Sequence, residues 1–405
     1  MNHPYLDLYT QWVQREEVPK IYSLWCALGT VSAVMERRCW LSWENTIYPN
    51  QYIVLIGEPA ARKGTALGKA MELLERTNVE MAPNMVSTER FIEKLCHATH
   101  ILNNPKREED FELIRHASLT AFVPELTTFI KIKDSYHVAV LTDIYDCPNK
   151  REYSTYVRGD EFVYNACFNM LAATTPDAMK AHFPGESING GFGSRIIFVY
   201  SGKPKELKSI PKTDEQHAEE AALASELVKI LHRVQRQSGP FKIDDVVVEE
   251  YAAWRKEAET NPPTVAYDAN FTHYMGRRQT HLRKIMMAVA ISRAPEQRRI
   301  ILRDFAYAKW LLETTEDLMP KAMRPVAAIT PQEIMQDAMA HIYATKEGVS
   351  FEALMRHYVG RVTSKEFVNY MEDLTKVGFI EKVITSQGVR YKIGPRPFNQ
   401  KEKGA

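Results

Sequence analysis

One nine-residue stretch, Gly57-Glu58-Pro59-Ala60-Ala61-Arg62-Lys63-Gly64-Thr65, constrains this chain more than any other. An apolar run, Tyr52-Ile53-Val54-Leu55-Ile56, leads into it, and a segment of helix-forming composition, Ala66 to Arg76, leads out. Strand, glycine turn, lysine and helix in that order are the parts of a phosphate-binding loop. A helix N-terminus offers unpaired N–H groups and a partial positive charge, and a lysine beside it reaches phosphate oxygens. The usual pattern is G-x-x-x-x-G-K-[ST]. Here Arg62 stands at the second glycine and Gly64 at the hydroxyl, with Thr65 one residue further on. The competing reading of Lys63 is a surface lysine at an ordinary strand-to-helix turn.

The surroundings favour an α/β layer. Residues 50–205 alternate short apolar strands with helix-like stretches. The strand candidates are Tyr52–Ile56, Leu119–Val123, Phe162–Ala172 and Arg195–Tyr200. Residues 1–45 read as helical, with Ile21, Leu24, Trp25, Leu28, Val31, Val34 and Met35 at helical spacing. Residues 204–216 are polar, contain Pro204 and Pro211, and read as a linker. Helices are expected from Glu215 to Ala322, with an apolar stripe between His281 and Arg293 behind the basic residues Arg277, Arg278, Arg283 and Lys284. Met323–Ala328 reads as a hinge. The predicted divisions are a helical segment (1–45), a P-loop core (46–205), a helical lid (206–325), a C-terminal module (329–394) and a disordered tail (395–405).

In the C-terminal module, Thr330-Pro331-Gln332-Glu333 and Thr363-Ser364-Lys365-Glu366 are capping boxes that start helices. Gly378 ends the last helix, and Ser386-Gln387-Gly388 joins two strands of a hairpin. Three helices followed by a hairpin predict a winged helix. That fold lays its third helix in the DNA major groove and its wing along the backbone. Arg361, Lys365, Asn369, Lys382 and Arg390 are the predicted DNA contacts. Glu366, Glu372, Asp373 and Glu381 dilute the patch, and winged helices also serve as protein-interaction modules.

Three further pieces bear on Lys63. The strand ending Phe122-Val123-Pro124-Glu125 closes on an acid. In P-loop ATPases the equivalent pair is Asp-Glu, the Asp holding magnesium and the Glu orienting water. Pro124 replaces the Asp, and an acid at a strand end is also a common surface feature. Met170-Leu171-Ala172-Ala173-Thr174-Thr175-Pro176 is a buried strand ending in hydroxyls. Either threonine could cap the following helix, and Thr174 could instead serve as a polar sensor. Gly190-Gly191-Phe192-Gly193-Ser194-Arg195 precedes the last strand, where an arginine can act on a neighbouring subunit's phosphate or form a structural ion pair.

Taken in order, these segments resemble the AAA+ helicase-type ATPases of phages and mobile genetic elements, distantly similar to minichromosome-maintenance helicases. Tyr48 to Gly57, Ala173 to Pro176, Gly190 to Arg195 and Arg277-Arg278 carry the resemblance, which spans roughly Pro19 to Ala322. It implies an AAA+/RecA-like core with a helical lid, ATP and Mg2+ as ligands, and DNA as partner. It further implies a homo-oligomer, a hexameric ring by analogy, working alongside other replication proteins. Gly57, Arg62, Lys63, Gly64 and Thr65 would hold nucleotide, and Thr65 and Glu125 would hold metal. Glu125, Thr174 and Arg195 would serve catalysis, and Arg278, or Arg277 beside it, would sense nucleotide state; the competing reading of this arginine pair is a basic helix face paired with acids. A different class of function, a weakly active or inactive nucleotide-binding adaptor on DNA, fits the loss of both usual magnesium ligands.

Composition removes other classes. The longest apolar runs fall short of a membrane span, and the N-terminus lacks a secretory pattern, so a cytoplasmic protein is expected. Five scattered cysteines without C-x-x-C argue against zinc, and twelve histidines that make no spaced ligand cluster argue against a metal enzyme. A net charge of +1 confines any nucleic-acid contact to a local patch.

Overall fold

The computed structural model describes residues 3–103, 113–131, 134–155, 159–182, 191–202, 211–322, 331–345, 348–358, 362–385 and 388–395. Gly190, most of the expected linker, the hinge, Thr330, Arg361, Ser386, Gln387 and nearly all of the expected tail lie outside these residues. The chain divides into two compact units, Met1–Arg324 and Pro325–Ala405.

The first unit is α/β, built on a mainly parallel sheet. Its strands are β1 (Tyr52–Ile56), β2 (Met81–Ala82), β3 (Thr99–Asn103), β4 (Leu113–Val123), β5 (Ala166–Thr174) and β6 (Ile196–Tyr200). The order is β6-β1-β5-β4-β2, and β3 runs antiparallel along the first half of β4. Ile56 lies opposite both Thr174 and Tyr200, and Val123 opposite Ala172. The carboxyl ends of β1, β4, β5 and β6 therefore meet at one edge. Every residue of β1 and β5 is buried, as expected of parallel strands covered on both faces.

Strand periodicity sorts those residues into two cores. Ile53 and Leu55 face one core with Leu171, Ile197 and Val199. Tyr52, Val54 and Ile56 face the other with Leu119, Met170 and Phe198. The first core holds the helices α1 (Pro4–Val13), α2 (Lys20–Met35), α3 (Lys63–Leu74), α4 (Asp214–Gln235), α5 (Asp245–Thr260), α6 (Thr272–Arg293) and α7 (Leu302–Glu316). A smaller sheet, in the order Arg299–Ile300, Gly239–Ile243, Cys39–Ser42, Thr46–Ile47, joins the ends of several of these.

Three sequence expectations change here. α2 has more than one packed face: every residue from Tyr22 to Met35 is buried, because helices enclose it from several sides. The stretch Phe162–Ala172 is not one strand. Asn165 adopts a left-handed backbone (φ 54°) and breaks it. Gly159–Tyr164 then pairs with Lys150–Thr155, while β5 enters the central sheet. Of the four basic residues of α6 named above, Arg278, Arg283 and Lys284 are buried rather than outward-facing, and Arg277 is partly exposed.

The second unit contains α8 (Pro331–Ala344), α9 (Phe351–Tyr358) and α10 (Ser364–Val377), followed by the hairpin β7 (Ile380–Thr385) and β8 (Gly388–Ile393). A short strand, Val349–Ser350, pairs with β8. Thr363 and Glu366 form the expected capping box, and Gly378 ends α10 with φ 87°. Phe367, Met371 and Leu374 on α10 pack with Ile334, Ala338 and Ile342 on α8.

Candidate functional site

Lys63 opens α3 directly beyond the carboxyl end of β1. No side chain caps that helix, so its first N–H groups face outward as an anion site requires. Gly57 is fixed by close approach. A Cβ there would lie 2.5 Å from the Tyr22 hydroxyl and 2.6 Å from the Ser201 carbonyl. Tyr22 itself donates to the Ile56 carbonyl at 2.7 Å, so α2 pins the ends of β1 and β6 where the loop begins. In sequence Tyr22 is only one residue of the helical segment 1–45; its role shows only when residues 22, 56 and 201 meet.

Ala60 and Arg62 both take left-handed backbone angles, φ 67° and 62°. The usual second glycine adopts such an angle freely, whereas an L side chain pays about 1–2 kcal/mol. The loop thus keeps a glycine conformation at a position occupied by arginine. The Arg62 guanidinium turns away to an ion pair with Glu17. Gly64 faces open space, with no atom within 4 Å of a built Cβ.

The sequence-selected residues Lys63, Glu125 and Thr174 come together. Thr174, fully buried at the end of β5, donates its hydroxyl to Glu125 Oε1 at 3.0 Å. Thr127 donates to the same oxygen at 3.3 Å. Glu125 follows β4 and precedes the short helix Leu126–Phe129. Lys63 Nζ donates to the carbonyls of Gly57 (2.5 Å) and Glu58 (2.9 Å). Partial burial lowers the Lys63 pKa, with Glu125 and Glu58 pulling it back up. Lys63 is thus a half-buried ammonium within the electrostatic reach of the Glu125 carboxylate, at the carboxyl edge of the sheet. The two threonines divide their work: Thr174 orients Glu125, while Thr175 accepts the Ala178 N–H and caps the next helix.

Magnesium would find a reduced donor set. Thr65, half-exposed in the first turn of α3, and Glu125 are the candidates. Pro124 is exposed and offers no side-chain donor. These residues fit an ion held mainly by phosphate and water oxygens.

Arg195 lies elsewhere. It ends the short turn before β6, at the amino edge of the sheet, and the five-residue strand separates the edges by roughly 16 Å. Its guanidinium donates to Asp146 Oδ2 and to the Gly191 carbonyl, both at 2.6 Å. Arg277 binds the same Asp146 carboxylate at 2.7 Å. Burial raises the Asp146 pKa, but the two arginines outweigh it and hold it below the ordinary value. Arg278, one of the two candidate nucleotide sensors, is 4% exposed, doubly bonded to Glu316 and stacked 4.3 Å over Trp254. It stands in a buried ion pair with an acid.

In the second unit, Lys365, Asn369 and Lys382 are exposed and Arg390 is half-buried. Lys365, Asn369 and Lys376 share one side of α10 with the acid Glu372. Lys382 pairs with Tyr391, and Arg390 with Val383. Pleating therefore puts Lys382 and Arg390 on opposite faces of the hairpin. No helix among the described residues is long and apolar enough to cross a membrane. No protein-family model matches the chain, and no curated protein is significantly similar to it.

Proposed function

We propose that the chain is an ATP-hydrolysing protein of AAA+ helicase type, oligomeric when active, acting on DNA in the replication of a mobile element. The observation that carries this is the meeting of Lys63, Glu125 and Thr174 at the carboxyl edge of β1, β4 and β5. The crevice beyond those ends is where open α/β sheets take their ligands. In this reading Lys63 exchanges its loop carbonyls for phosphate oxygens. Glu125, held by Thr174, orients a water and accepts its proton. Arg195 is too far to serve its own subunit's loop, so it would act on a neighbour's nucleotide after leaving Asp146. The C-terminal unit, three helices and a hairpin, would be a winged helix that contacts DNA through Lys365, Asn369, Lys382 and Arg390.

Purified protein should hydrolyse ATP, and Lys63→Ala and Glu125→Gln should each reduce turnover at least 100-fold. Wild-type turnover no higher than that of Lys63→Ala, with and without DNA, would refute the enzyme reading.

A second reading is a nucleotide-gated adaptor that assembles on DNA without hydrolysis. The absence of side-chain oxygen donors at Gly64 and Pro124 favours it. Gly64 has room for a larger side chain and Pro124 is exposed, so Gly64→Ser with Pro124→Asp should restore both usual ligands. If the protein is an adaptor of this descent, the double variant should gain magnesium-dependent hydrolysis while wild type shows ATP-dependent assembly alone.

A further inference from the structure

Away from the phosphate loop, the first unit holds a buried cluster of two cysteines and two cations. Cys147 follows the helix Ser135–Ile144, and Cys167 is the second residue of β5. The hairpin of Lys150–Thr155 and Gly159–Tyr164 brings them together. Lys150 pairs with Tyr164 at its open end. Backbone bonding continues past that end: the Asn165 N–H donates to the Asn149 carbonyl at 2.8 Å, and the Ala166 N–H to the Pro148 carbonyl at 3.1 Å. The next step of the same register sets Cys147 against Cys167. Arg37 ties the two segments, one nitrogen donating to the Cys147 carbonyl at 2.6 Å and to the Ala166 carbonyl at 2.9 Å. The two thiols are hydrogen-bonded to each other. Sulfurs in such contact are a small side-chain adjustment away from a disulfide.

The charge around these thiols is lopsided. Arg37 and Lys284 are only 6% and 3% exposed. Lys284 donates to the Tyr48 carbonyl at 3.0 Å and to the Asn50 side-chain oxygen. Arg37 donates to backbone carbonyls and to the Asn149 side chain. Among the described residues neither cation forms an ion pair, and Asp146, beside Cys147, is already shared by Arg195 and Arg277. Buried charges are ordinarily paired, so the cluster favours an anion at sulfur. In its thiol form Cys147 donates at 3.2 Å to the same Asn50 oxygen that Lys284 binds. Sulfur and ammonium therefore meet at one atom.

Titration agrees with this placement. Burial alone pushes a thiol up, as it does for Cys26 and, to about 12, for Cys39. At Cys147 burial is outweighed by the hydrogen bond from the Cys167 thiol and by the charges of Lys284 and Arg37, which hold the pKa below the ordinary thiol value. Cys167 is raised because its proton is given to Cys147, and by burial. Burial lowers the Lys284 pKa, and the two cysteines pull it back.

We propose that Cys147 and Cys167 are a redox pair, oxidised to a disulfide by hydrogen peroxide. Cys147 keeps 5% of its surface exposed and Cys167 none, so Cys147 meets the oxidant first. Its thiolate attacks one peroxide oxygen and breaks the O–O bond, giving a sulfenic acid and hydroxide. The hydroxide takes the Cys167 proton and becomes water. The Cys167 thiolate then attacks the Cys147 sulfur, the S–S bond forms, and the sulfenic oxygen leaves as hydroxide. One thiolate, one thiol and one peroxide thus give a disulfide, a water and a hydroxide; the sulfurs lose two electrons and the peroxide gains them. Because Asp146 adjoins Cys147 and holds Arg195 and Arg277, the new bond is placed to act on that arginine cluster.

The test uses the full chain, reduced, desalted, exposed to hydrogen peroxide, quenched by alkylation and mapped by mass spectrometry without reduction. A crosslinked peptide joining Cys147 to Cys167 should be the first product, forming roughly tenfold or more faster than Cys26, Cys39 or Cys96 loses its thiol. In Cys167→Ser oxidation should stop at a Cys147 sulfenic acid, captured by dimedone. Three results would each overturn the proposal: both thiols staying reduced in folded wild type, Cys147 oxidising no faster than the other cysteines, or a disulfide joining Cys147 to a cysteine other than Cys167.

Discussion

At the scale of single residues, the phosphate loop looks more altered in sequence than in backbone. Arg62 breaks the pattern as a letter but keeps the left-handed angle that glycine would take. Arg62→Gly should therefore be nearly neutral in thermal melts. Release of about 1 kcal/mol of left-handed strain is set against a similar loss of chain entropy. Gly57 is the opposite case. An alanine there meets a backbone carbonyl and a pinned hydroxyl, and Gly57→Ala should destabilise the fold by about 1–3 kcal/mol. A melting temperature unchanged from wild type would show that β1, β6 and α2 are not clamped as described. The motif made Gly57 visible; the reason for it, Tyr22, was invisible because its partners are 34 and 179 residues away.

At the scale of elements, legibility followed how local the determining physics is. β1 matched its expected bounds because five consecutive apolar residues end at a glycine turn. α10 matched because Thr363, Glu366 and Gly378 mark its ends locally. Thr363→Ala should cost the second unit about 1 kcal/mol, read as a lower unfolding midpoint. Elements that depend on distant partners were harder to read. β2 is two residues long and exists only by pairing with Thr120 and Ala121. The basic stretch of α6 reads as a charged face, but tertiary partners bury it. Arg278 finds Glu316, Arg283 lies over Trp43, and Lys284 reaches the Tyr48 carbonyl. At the candidate site, Lys63, Glu125 and Thr174 could be read from strand ends, because parallel strands deliver their carboxyl ends to one edge. The Asp146 contact of Arg195 could not, since it needs two loops to meet.

At the scale of the molecule, α/β layering with burial on both faces sets the response to acid. Burial pushes the pKa of His281 down to about 4 and that of His116 down to about 3. Both rings are neutral when folded and take up protons on unfolding below the ordinary histidine value of 6.5. Their stabilising contribution is therefore complete above pH 6.5 and is lost as pH falls toward 4. For His281 the loss reaches about 3 kcal/mol. Chemical denaturation should show a flat profile from pH 7 to 8 and a decline below 6.5 that is shallower in His281→Gln. A wild-type profile flat down to pH 4 would contradict this. The central claim, that Lys63, Glu125 and Thr174 form a nucleotide phosphate site, is tested most directly by calorimetric titration of a non-hydrolysable ATP analogue. Wild-type protein should bind it saturably and Lys63→Ala at least tenfold more weakly. Equal affinity of the two, or no binding by the wild type at millimolar analogue, would contradict it.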